Sequence, residues 1–205
     1  MEHCVKIVIA TSNRHKIREI ADKMSDLGEF SFLPMNEVCP PMDIEENGST
    51  FAENAFIKAR AVFAATGLPS LADDSGLAVD ALGGEPGIFS ARYGNLPDDR
   101  SRYEFLLGNM KDIPDGSRGA RFVCSIALVL PDGREFGAEG RCEGSIAHKP
   151  EGDHGFGYDP VFLVAGKSLT MAQIPLEEKN RISHRALALD RLREILSSLK
   201  DGGTL

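Results

Sequence analysis

Residues 5–16 read VKIVIATSNRHK. Residues 5–10 are a short apolar run rich in β-branched residues, and three hydrogen-bonding side chains, Thr11, Ser12 and Asn13, follow it. An apolar run of this kind predicts a buried strand. Residues 11–13 are all good helix N-caps, so a helix is expected to begin directly after the strand. Apolar residues then recur at helical spacing as far as Leu27, and Gly28 supplies a stop. The chain therefore opens with a strand–helix unit.

Further strands and helices follow this unit. Thr50 and Glu53 have the spacing of a capping box, which predicts a second helix from Thr50 to Gly67. Segments 120–130 and 135–146 predict a hairpin, because the turn formers Pro-Asp-Gly separate them. The remaining predicted elements are strands at 30–35, 77–82 and 160–164, a short apolar run ending at 72, helices near 103–110 and over 181–199, and a frayed tail at 201–205. This order favours an α/β fold with a mixed sheet flanked by helices.

Composition bounds the class of protein. A chain of 205 residues with 42% hydrophobic residues is long enough for one sizeable core. It has no apolar run of about 18 residues, and residues 1–6 lack the features of a signal peptide. We therefore expect no membrane association and a cytoplasmic protein. The net charge of −8 repels DNA and RNA at long range and so disfavours a nucleic-acid polymer as partner, although local cations or a metal still permit a small anionic ligand.

The four cysteines indicate a reducing compartment. They stand at positions 4, 39, 124 and 142, and no two have the C-x-x-C spacing of zinc or redox sites. Four reduced thiols are the expected state.

The first strand-to-helix turn is a candidate anion site. Free N–H groups and the helix dipole favour an anion at a helix N-terminus. The turn adds hydroxyl donors and basic side chains, and its residues are Thr11, Ser12, Asn13, Arg14, His15 and Lys16. The alternative is an ordinary N-cap with solvated basic residues. The G-x-x-x-x-G-K pattern of a P-loop is missing.

An acidic pair is the candidate metal site. Asp73 and Asp74 follow a short apolar run, and we interpret them as lying at a strand end. Like charges there raise each other's pKa, a conflict that a hard cation such as Mg²⁺ resolves. A second acidic pair, Glu45 and Glu46, stands on a loop that could reach over. The alternative is a solvated turn, since Asp, Ser and Gly are all turn formers.

Two later segments are candidates for contacts to a nucleotide. In residues 155–160, GFGYDP, Phe156 and Tyr158 have rings that can stack on a planar base, and Asp159 can accept a hydrogen bond from it. The alternative is a glycine turn anchored by two core aromatics. The basic residues Lys179, His184 and Arg185 fall around the start of the last predicted helix, where cations are unfavourable unless an anion offsets them. The alternative is that the helix starts later or that these charges are solvated. Lys58, on the second predicted helix, is either a solvated residue or a phosphate contact.

Six segments, in this order, resemble the inosine triphosphate pyrophosphatase family, the noncanonical purine nucleoside triphosphatases. The match spans essentially the whole chain, and six ordered motifs are specific where each alone is weak. The motifs are Thr11, Ser12, Asn13 and Lys16; Thr50, Phe51, Glu53, Asn54, Ala55 and Lys58; Asp73 to Leu77; Gly87 and Ser90 to Tyr93; Phe156 to Asp159; and Ser183 to Arg185.

The resemblance implies hydrolysis of ITP, dITP and XTP to the monophosphate and pyrophosphate, by water attack at the α-phosphorus. It implies Asp74 as general base and Mg²⁺ held by Asp74 and Glu46, with Glu45 and Asp73 as further candidates. Implied triphosphate contacts are Thr11, Ser12, Asn13, Arg14, His15, Lys16, Lys58 and Lys179. Implied contacts to the rest of the nucleotide are Ser75, Phe156, Gly157, Tyr158, Asp159, His184 and Arg185. Arg14 and His15 are bulkier than is usual in the family.

The family fold is an elongated mixed α/β structure with two lobes, a deep central cleft and a homodimeric assembly. The resemblance therefore implies a single domain over residues 1–205. Two other functions stay open. One is a Maf-type pyrophosphatase for modified pyrimidine or methylated guanine nucleotides, against which residues 183–185 argue. The other is a nucleotide-sensing module without catalysis, against which the retained Asp74 argues.

Overall fold

The strand–helix unit predicted at the start of the chain is present in the computed structural model, which describes residues 4–201. Strand β1 spans Val5–Ile9 and helix α1 spans Arg14–Met24. Asn13 is the N-cap, and its side-chain oxygen accepts the N–H groups of His15 at 2.9 Å and Lys16 at 3.3 Å. The helix ends at Met24, one turn before the predicted stop at Gly28.

The other elements form a mixed sheet and its flanking helices. They are β2 (Phe30–Pro34), α2 (Phe51–Thr66), β3 (Ser70–Val79), α3 (Asp99–Asn109), β4 (Gly119–Val129), β5 (Glu135–Ile146), β6 (Phe162–Val164), α4 (Leu176–Ile182) and α5 (His184–Asp201). The strand order is β2-β1-β3-β4-β5-β6. Strand β1 is parallel to β2 and β3, whereas β5 and β6 are antiparallel. The α/β prediction and the β4–β5 hairpin are confirmed.

By its internal contacts the chain divides into two compact units. The first unit consists of the described residues of Met1–Asp74, Cys124–Gly140 and Arg185–Leu205, and the second of Ser75–Val123 and Arg141–His184. The single domain expected over residues 1–205 stays a prediction.

The first unit has an apolar cluster on each face of its strands. In β1, Ile7 and Ile9 belong to the cluster that includes residues of α1 and α5, whereas Val8 belongs to the cluster that includes residues of α2. This division follows from the alternation of side chains along a strand. The second unit has its own core, which gathers residues such as Leu77, Phe122 and Phe162.

Two predictions about element boundaries are wrong. The acidic pair at 73–74 does not end a strand or form a turn, because β3 continues through it from Ser70 to Val79. The last helix is not continuous. It is interrupted at Ser183, whose extended backbone (φ −69°, ψ 155°) separates α4 from α5. The composition around residues 73–76 favoured a strand end or a turn, and the spacing of apolar residues over 181–199 favoured one helix. Tertiary packing overrode both local preferences.

Helix α2 begins as predicted, with one difference in its cap. Thr50 accepts the N–H of Glu53 at 3.1 Å. The carboxylate of Glu53 accepts the N–H of Ser49 at 2.6 Å. In a capping box it would accept the N–H of the N-cap residue itself, Thr50. At the other end, Gly67 adopts the left-handed conformation (φ 68°) that closes the helix.

No helix between residues 4 and 201 combines the length and apolar character that crossing a bilayer requires. The predicted frayed tail lies mostly outside the described residues, since α5 continues to Asp201 and residues 202–205 are not described. The first three residues of the N-terminal segment also lie outside them.

Candidate functional site

Strand β3 directs the acidic pair to opposite faces of the sheet. Asp73 is 1% exposed and Asp74 is 8% exposed. Because side chains alternate along a strand, Asp73 shares a face with Leu71, and Asp74 shares the other face with Ala72. The two carboxylates therefore have different environments and different direct contacts.

Asp73 lies in a buried network of charges. Its Oδ1 is 3.1 Å from Lys16 Nζ, and its Oδ2 accepts from Arg185 Nη2 at 3.0 Å and Nε at 3.2 Å. Arg185 also donates to the carboxylate of Glu19 from α1. Burial acts to raise the pKa of Asp73, but the charges of Lys16 and Arg185 outweigh it and hold that pKa well below its ordinary value. Asp73 is therefore an ionised partner of two cations at neutral pH.

Cys124 lies beside the same network. Its Sγ is 3.8 Å from Asp73 Oδ2, and burial together with the Asp73 charge raises the pKa of this thiol well above its ordinary value. Cys124 is thus a protonated, buried thiol.

Asp74 is surrounded by residues of α2 and of the loop before it. Lys58 Nζ lies 3.1 Å from Asp74 Oδ1 and 2.8 Å from Glu46 Oε2, so one ammonium bridges two carboxylates. Asn54 Nδ2 donates to Asp74 Oδ2 at 3.3 Å. Burial raises the pKa of Asp74, and the charges of Lys58 and Lys16 only partly oppose that rise. A buried carboxylate of raised pKa is suited to accept a proton.

Asn54 connects this carboxylate to the loop that carries Glu46. Its side-chain oxygen accepts the N–H of Gly48 at 2.8 Å while its nitrogen donates to Asp74. A Cβ at Gly48 would lie 2.7 Å from that oxygen, so only glycine permits the approach. No local sequence pattern predicts this role of Asn54, because its two partners lie 6 and 20 residues away along the chain.

The turn at residues 11–16 is organised largely by its own side chains. Asn13 occupies the first N–H groups of α1, and Thr11 Oγ1 accepts the N–H of Asn13 at 3.2 Å. Ser12, Arg14 and His15 are exposed. Lys16 is turned inward to Asp73. These contacts are those of an N-cap, with exposed basic side chains beside it.

In the second unit, a buried ion pair underlies the loop at residues 155–159. Asp159 Oδ2 is 2.7 Å from Lys179 Nζ, and each residue is 3% exposed. The same oxygen accepts the N–H of Phe156 at 3.0 Å, and Lys179 Nζ lies 4.9 Å from the centroid of the Phe156 ring. Lys179 thus packs against the loop, and Asp159 neutralises its charge.

The two aromatic residues of this loop differ in exposure. Phe156 is half-buried, whereas Tyr158 belongs to the core of the second unit and donates its hydroxyl to the carbonyl of Ser90 at 2.9 Å. The ring of Phe156 is therefore the one with an accessible surface, and Tyr158 is an anchor.

The remaining predicted site residues differ in how far they are buried. His184 is 6% exposed and stacks on Phe122, with ring centroids 4.7 Å apart and planes at 15°. Ser75 is half-buried on β3, Glu45 is exposed, and Ser183 is buried at the break between α4 and α5. In the described part of the chain, no three His, Cys, Asp or Glu side chains form a ready metal cluster. The convergent oxygen donors are Asp74 and Glu46.

The sequence profile of the Ham1 family matches residues 7–195. A dITP/XTP pyrophosphatase of Streptomyces avermitilis is 47% identical over 196 residues, which cover 95% of this chain and 98% of that protein. A protein of the same name from Thermus thermophilus is 48% identical over 198 residues, covering 97% and 93%.

Solved structures agree with the sequence comparison. A HAM1 protein from Coxiella burnetii has a TM-score of 0.86 at 44% identity, covering 95% of this chain and 99% of that one. A nucleoside-triphosphatase, also named dITP/XTP pyrophosphatase, from Mycobacterium abscessus has a TM-score of 0.76 at 44% identity, covering 92% and 98%. The family resemblance found in the ordered motifs is confirmed, and this chain belongs to the Ham1 family.

Proposed function

We propose that this protein hydrolyses the noncanonical purine nucleoside triphosphates ITP, dITP and XTP to the monophosphate and pyrophosphate. The observation that carries the proposal is Asp74, a buried carboxylate of raised pKa held by Lys58 and Asn54 beside a second carboxylate, Glu46. The names of the related proteins, dITP/XTP pyrophosphatases, support the choice of substrate.

The oxygen donors around Asp74 fit Mg²⁺. Asp74 and Glu46 already converge on one cationic group, the ammonium of Lys58, within 3.1 Å. Mg²⁺ prefers one or two carboxylates completed by water and phosphate oxygens. We propose that Asp74 and Glu46 hold it, with the exposed Glu45 as the next candidate. Asp73 is less suited, because Lys16 and Arg185 already engage both of its oxygens. When bound, the metal neutralises charge on the phosphate chain.

Asp74 is the proposed general base. It accepts a proton from the attacking water while the water oxygen bonds to the α-phosphorus and the bond from that phosphorus to the pyrophosphate oxygen breaks. In the metal-free protein, burial raises the pKa of this carboxylate, which favours its accepting a proton. The ammonium groups of Lys16 and Lys58 offset the negative charge of the triphosphate. The turn at residues 11–15 supplies the other proposed phosphate contacts. Lys179, implied as a phosphate contact by the resemblance, is less suited to that role because it is buried and paired with Asp159.

Base recognition is assigned to Phe156 and His184. Phe156 offers a half-exposed ring for stacking. Inosine and xanthosine carry an acceptor oxygen at position 6, where adenine carries a donor amino group. A donor such as His184 pairs with the oxygen, and mispairing with the amino group costs about 1–3 kcal/mol. The guanidinium of Arg185, proposed from the resemblance as a base contact, is committed to Asp73 and Glu19, which favours His184 for this role.

A panel of triphosphates with Mg²⁺ tests the proposal. ITP, dITP, XTP, ATP, GTP and UTP are each incubated with the protein, and pyrophosphate and orthophosphate are measured separately. We expect pyrophosphate from the first three at rates well above those for ATP. Release of orthophosphate alone, equal turnover of ATP, or a preference for UTP would contradict it.

The resemblance also supports a homodimer that acts in the cytoplasm on a small-molecule triphosphate, with both units working as one domain. Light scattering on the purified protein tests the dimer.

A further inference from the structure

The loop that carries Phe156 depends on tethers for its position. Gly155 and Gly157, on either side of Phe156, both have left-handed backbones, with φ of 80° and 64°. Glycine in this region adds conformational freedom to a chain that is not otherwise held. The hydrogen bonds that this loop makes therefore decide where the Phe156 ring lies.

Three tethers hold consecutive residues of the loop. The N–H of Phe156 donates to Asp159 at 3.0 Å, and the hydroxyl of Tyr158 donates to the carbonyl of Ser90 at 2.9 Å. Between them, the N–H of Gly157 donates to Asp99 Oδ2 at 2.7 Å. That contact joins residues 58 positions apart and is short, as expected for a hydrogen bond to a charged acceptor.

Asp99 is itself held in position. Its other oxygen, Oδ1, accepts from Arg102 Nη2 at 2.6 Å, and Arg102 Nη1 donates to the carbonyl of Leu96 at 2.9 Å. One carboxylate oxygen is thus fixed by an arginine of the same helix, and the other is presented to the glycine. This arrangement orients the acceptor before any ligand arrives.

A role in capping α3 does not account for Asp99. The N-cap of that helix is Asp98, which accepts the N–H of Ser101 at 2.8 Å and its hydroxyl at 2.7 Å. Asp98 and Asp99 are adjacent, carry the same charge and lie at the same helix end, but only Asp99 contacts the loop at Gly157. Asp98 therefore provides a matched control for substitutions at Asp99.

We propose that Asp99 is a positioning residue for nucleobase recognition, which holds Gly157 so that the Phe156 ring is presented to the base. The inference rests on the proposed function, because it needs Phe156 to contact the base. Asp99 touches neither base nor phosphate in this scheme. Its loss weakens binding of the nucleotide and leaves the groups around Asp74 unchanged.

The test compares Asp99→Ala, Asp99→Asn and Asp98→Ala with the parent protein in ITP hydrolysis with Mg²⁺. For Asp99→Ala we expect KM to rise about tenfold with kcat within about twofold, the size expected from losing one charge-assisted hydrogen bond. Asp99→Asn keeps an acceptor for Gly157 and should recover most of the loss. Asp98→Ala removes the helix cap, lowers the thermal midpoint and should leave KM unchanged.

Two further measurements separate positioning from general destabilisation. The amide proton of Gly157, observed by NMR without substrate, should shift upfield in Asp99→Ala and stay near its parent position in Asp98→Ala. In a Phe156→Ala background, Asp99→Ala should have little further effect on KM, because both changes remove the same contact.

The inference is overturned if Asp99→Ala keeps the parent KM, if Asp98→Ala raises KM equally, or if the effects of Asp99→Ala and Phe156→Ala multiply. These comparisons of KM require a parent protein that hydrolyses ITP. If the parent releases no pyrophosphate from ITP, the proposed function fails first, and the Gly157 amide shift alone reports on the tether.

Discussion

Arg185 donates two hydrogen bonds to one oxygen of Asp73, at 3.0 and 3.2 Å, although 112 positions separate the two residues in sequence. The pair joins the middle of β3 to the first turn of α5. It identifies Asp73 as a neutralised structural carboxylate and leaves Asp74, on the other face, as the one with a raised pKa.

Replacing Arg185 with Met should destabilise the protein strongly. The change leaves Glu19 and Asp73 buried with fewer partners, and breaking a buried ion pair from one side typically costs about 3–5 kcal/mol. Urea unfolding followed by circular dichroism measures the loss. Arg100→Met is the control, because Arg100 pairs with Glu104 on the exposed surface of α3 and exposed pairs are worth about 0–1 kcal/mol. Equal losses in the two variants would contradict the assigned role.

The stability supplied by Asp73 should persist through mild acid. The pKa of Asp73 is lower in the folded protein than in the unfolded chain, where it is about 3.9. The contribution of Asp73 to the free energy of unfolding is therefore fully present above about pH 3.9 and is lost as the pH falls from there toward the folded pKa. We expect the difference in unfolding free energy between the parent protein and Asp73→Asn to be constant from pH 8 to pH 5 and to shrink only below about pH 4. Urea titrations with a chelator present measure it. A difference that already declines between pH 7 and pH 5 would show that this pKa is not lowered.

Asp74→Asn should abolish turnover while preserving the fold. Removing a general base costs about 10²–10⁴ in rate, and loss of a metal ligand adds to this. The amide is nearly isosteric, and Lys58 retains its pair with Glu46, so the thermal midpoint should change little. Pyrophosphate release and thermal unfolding are measured on the same preparation. Retention of more than about a tenth of the parent rate would exclude Asp74 as the base.

Gly76→Ala should destabilise β3 just after the acidic pair. A Cβ there would lie 2.4 Å from Ser90 Oγ and 2.6 Å from the carbonyl oxygen of Gly87, which is backbone and cannot move aside freely. Overpacking of this kind costs about 1–3 kcal/mol. Gly137→Ala in β5 is the control, since its nearest contact would be an ordinary 3.6 Å to Phe56. The free energies of unfolding of the two variants are compared. Equal values would show that Ser90 and Gly87 move aside to admit the methyl group, and would contradict the prediction.

The amino-acid sequence alone determined the elements whose signals are local. The apolar run of β1, the Asn13 cap of α1 and the Pro-Asp-Gly turn of the hairpin all depend on neighbouring residues, and each is present where it was predicted. The ordered motifs likewise identified the family without any structure. These features follow from backbone propensities and short spacings, which a sequence displays directly.

Only the tertiary structure decided which groups each charged residue of the candidate site contacts. Asp73 and Asp74 have the composition of a turn, and strand pairing alone directs them to opposite faces with different partners. Arg185 and Asp99 act on residues 112 and 58 positions away, distances at which no spacing rule applies. The physical reason is that the pKa and orientation of a buried charge depend on which groups packing brings within a few ångströms, and that is a property of the folded chain.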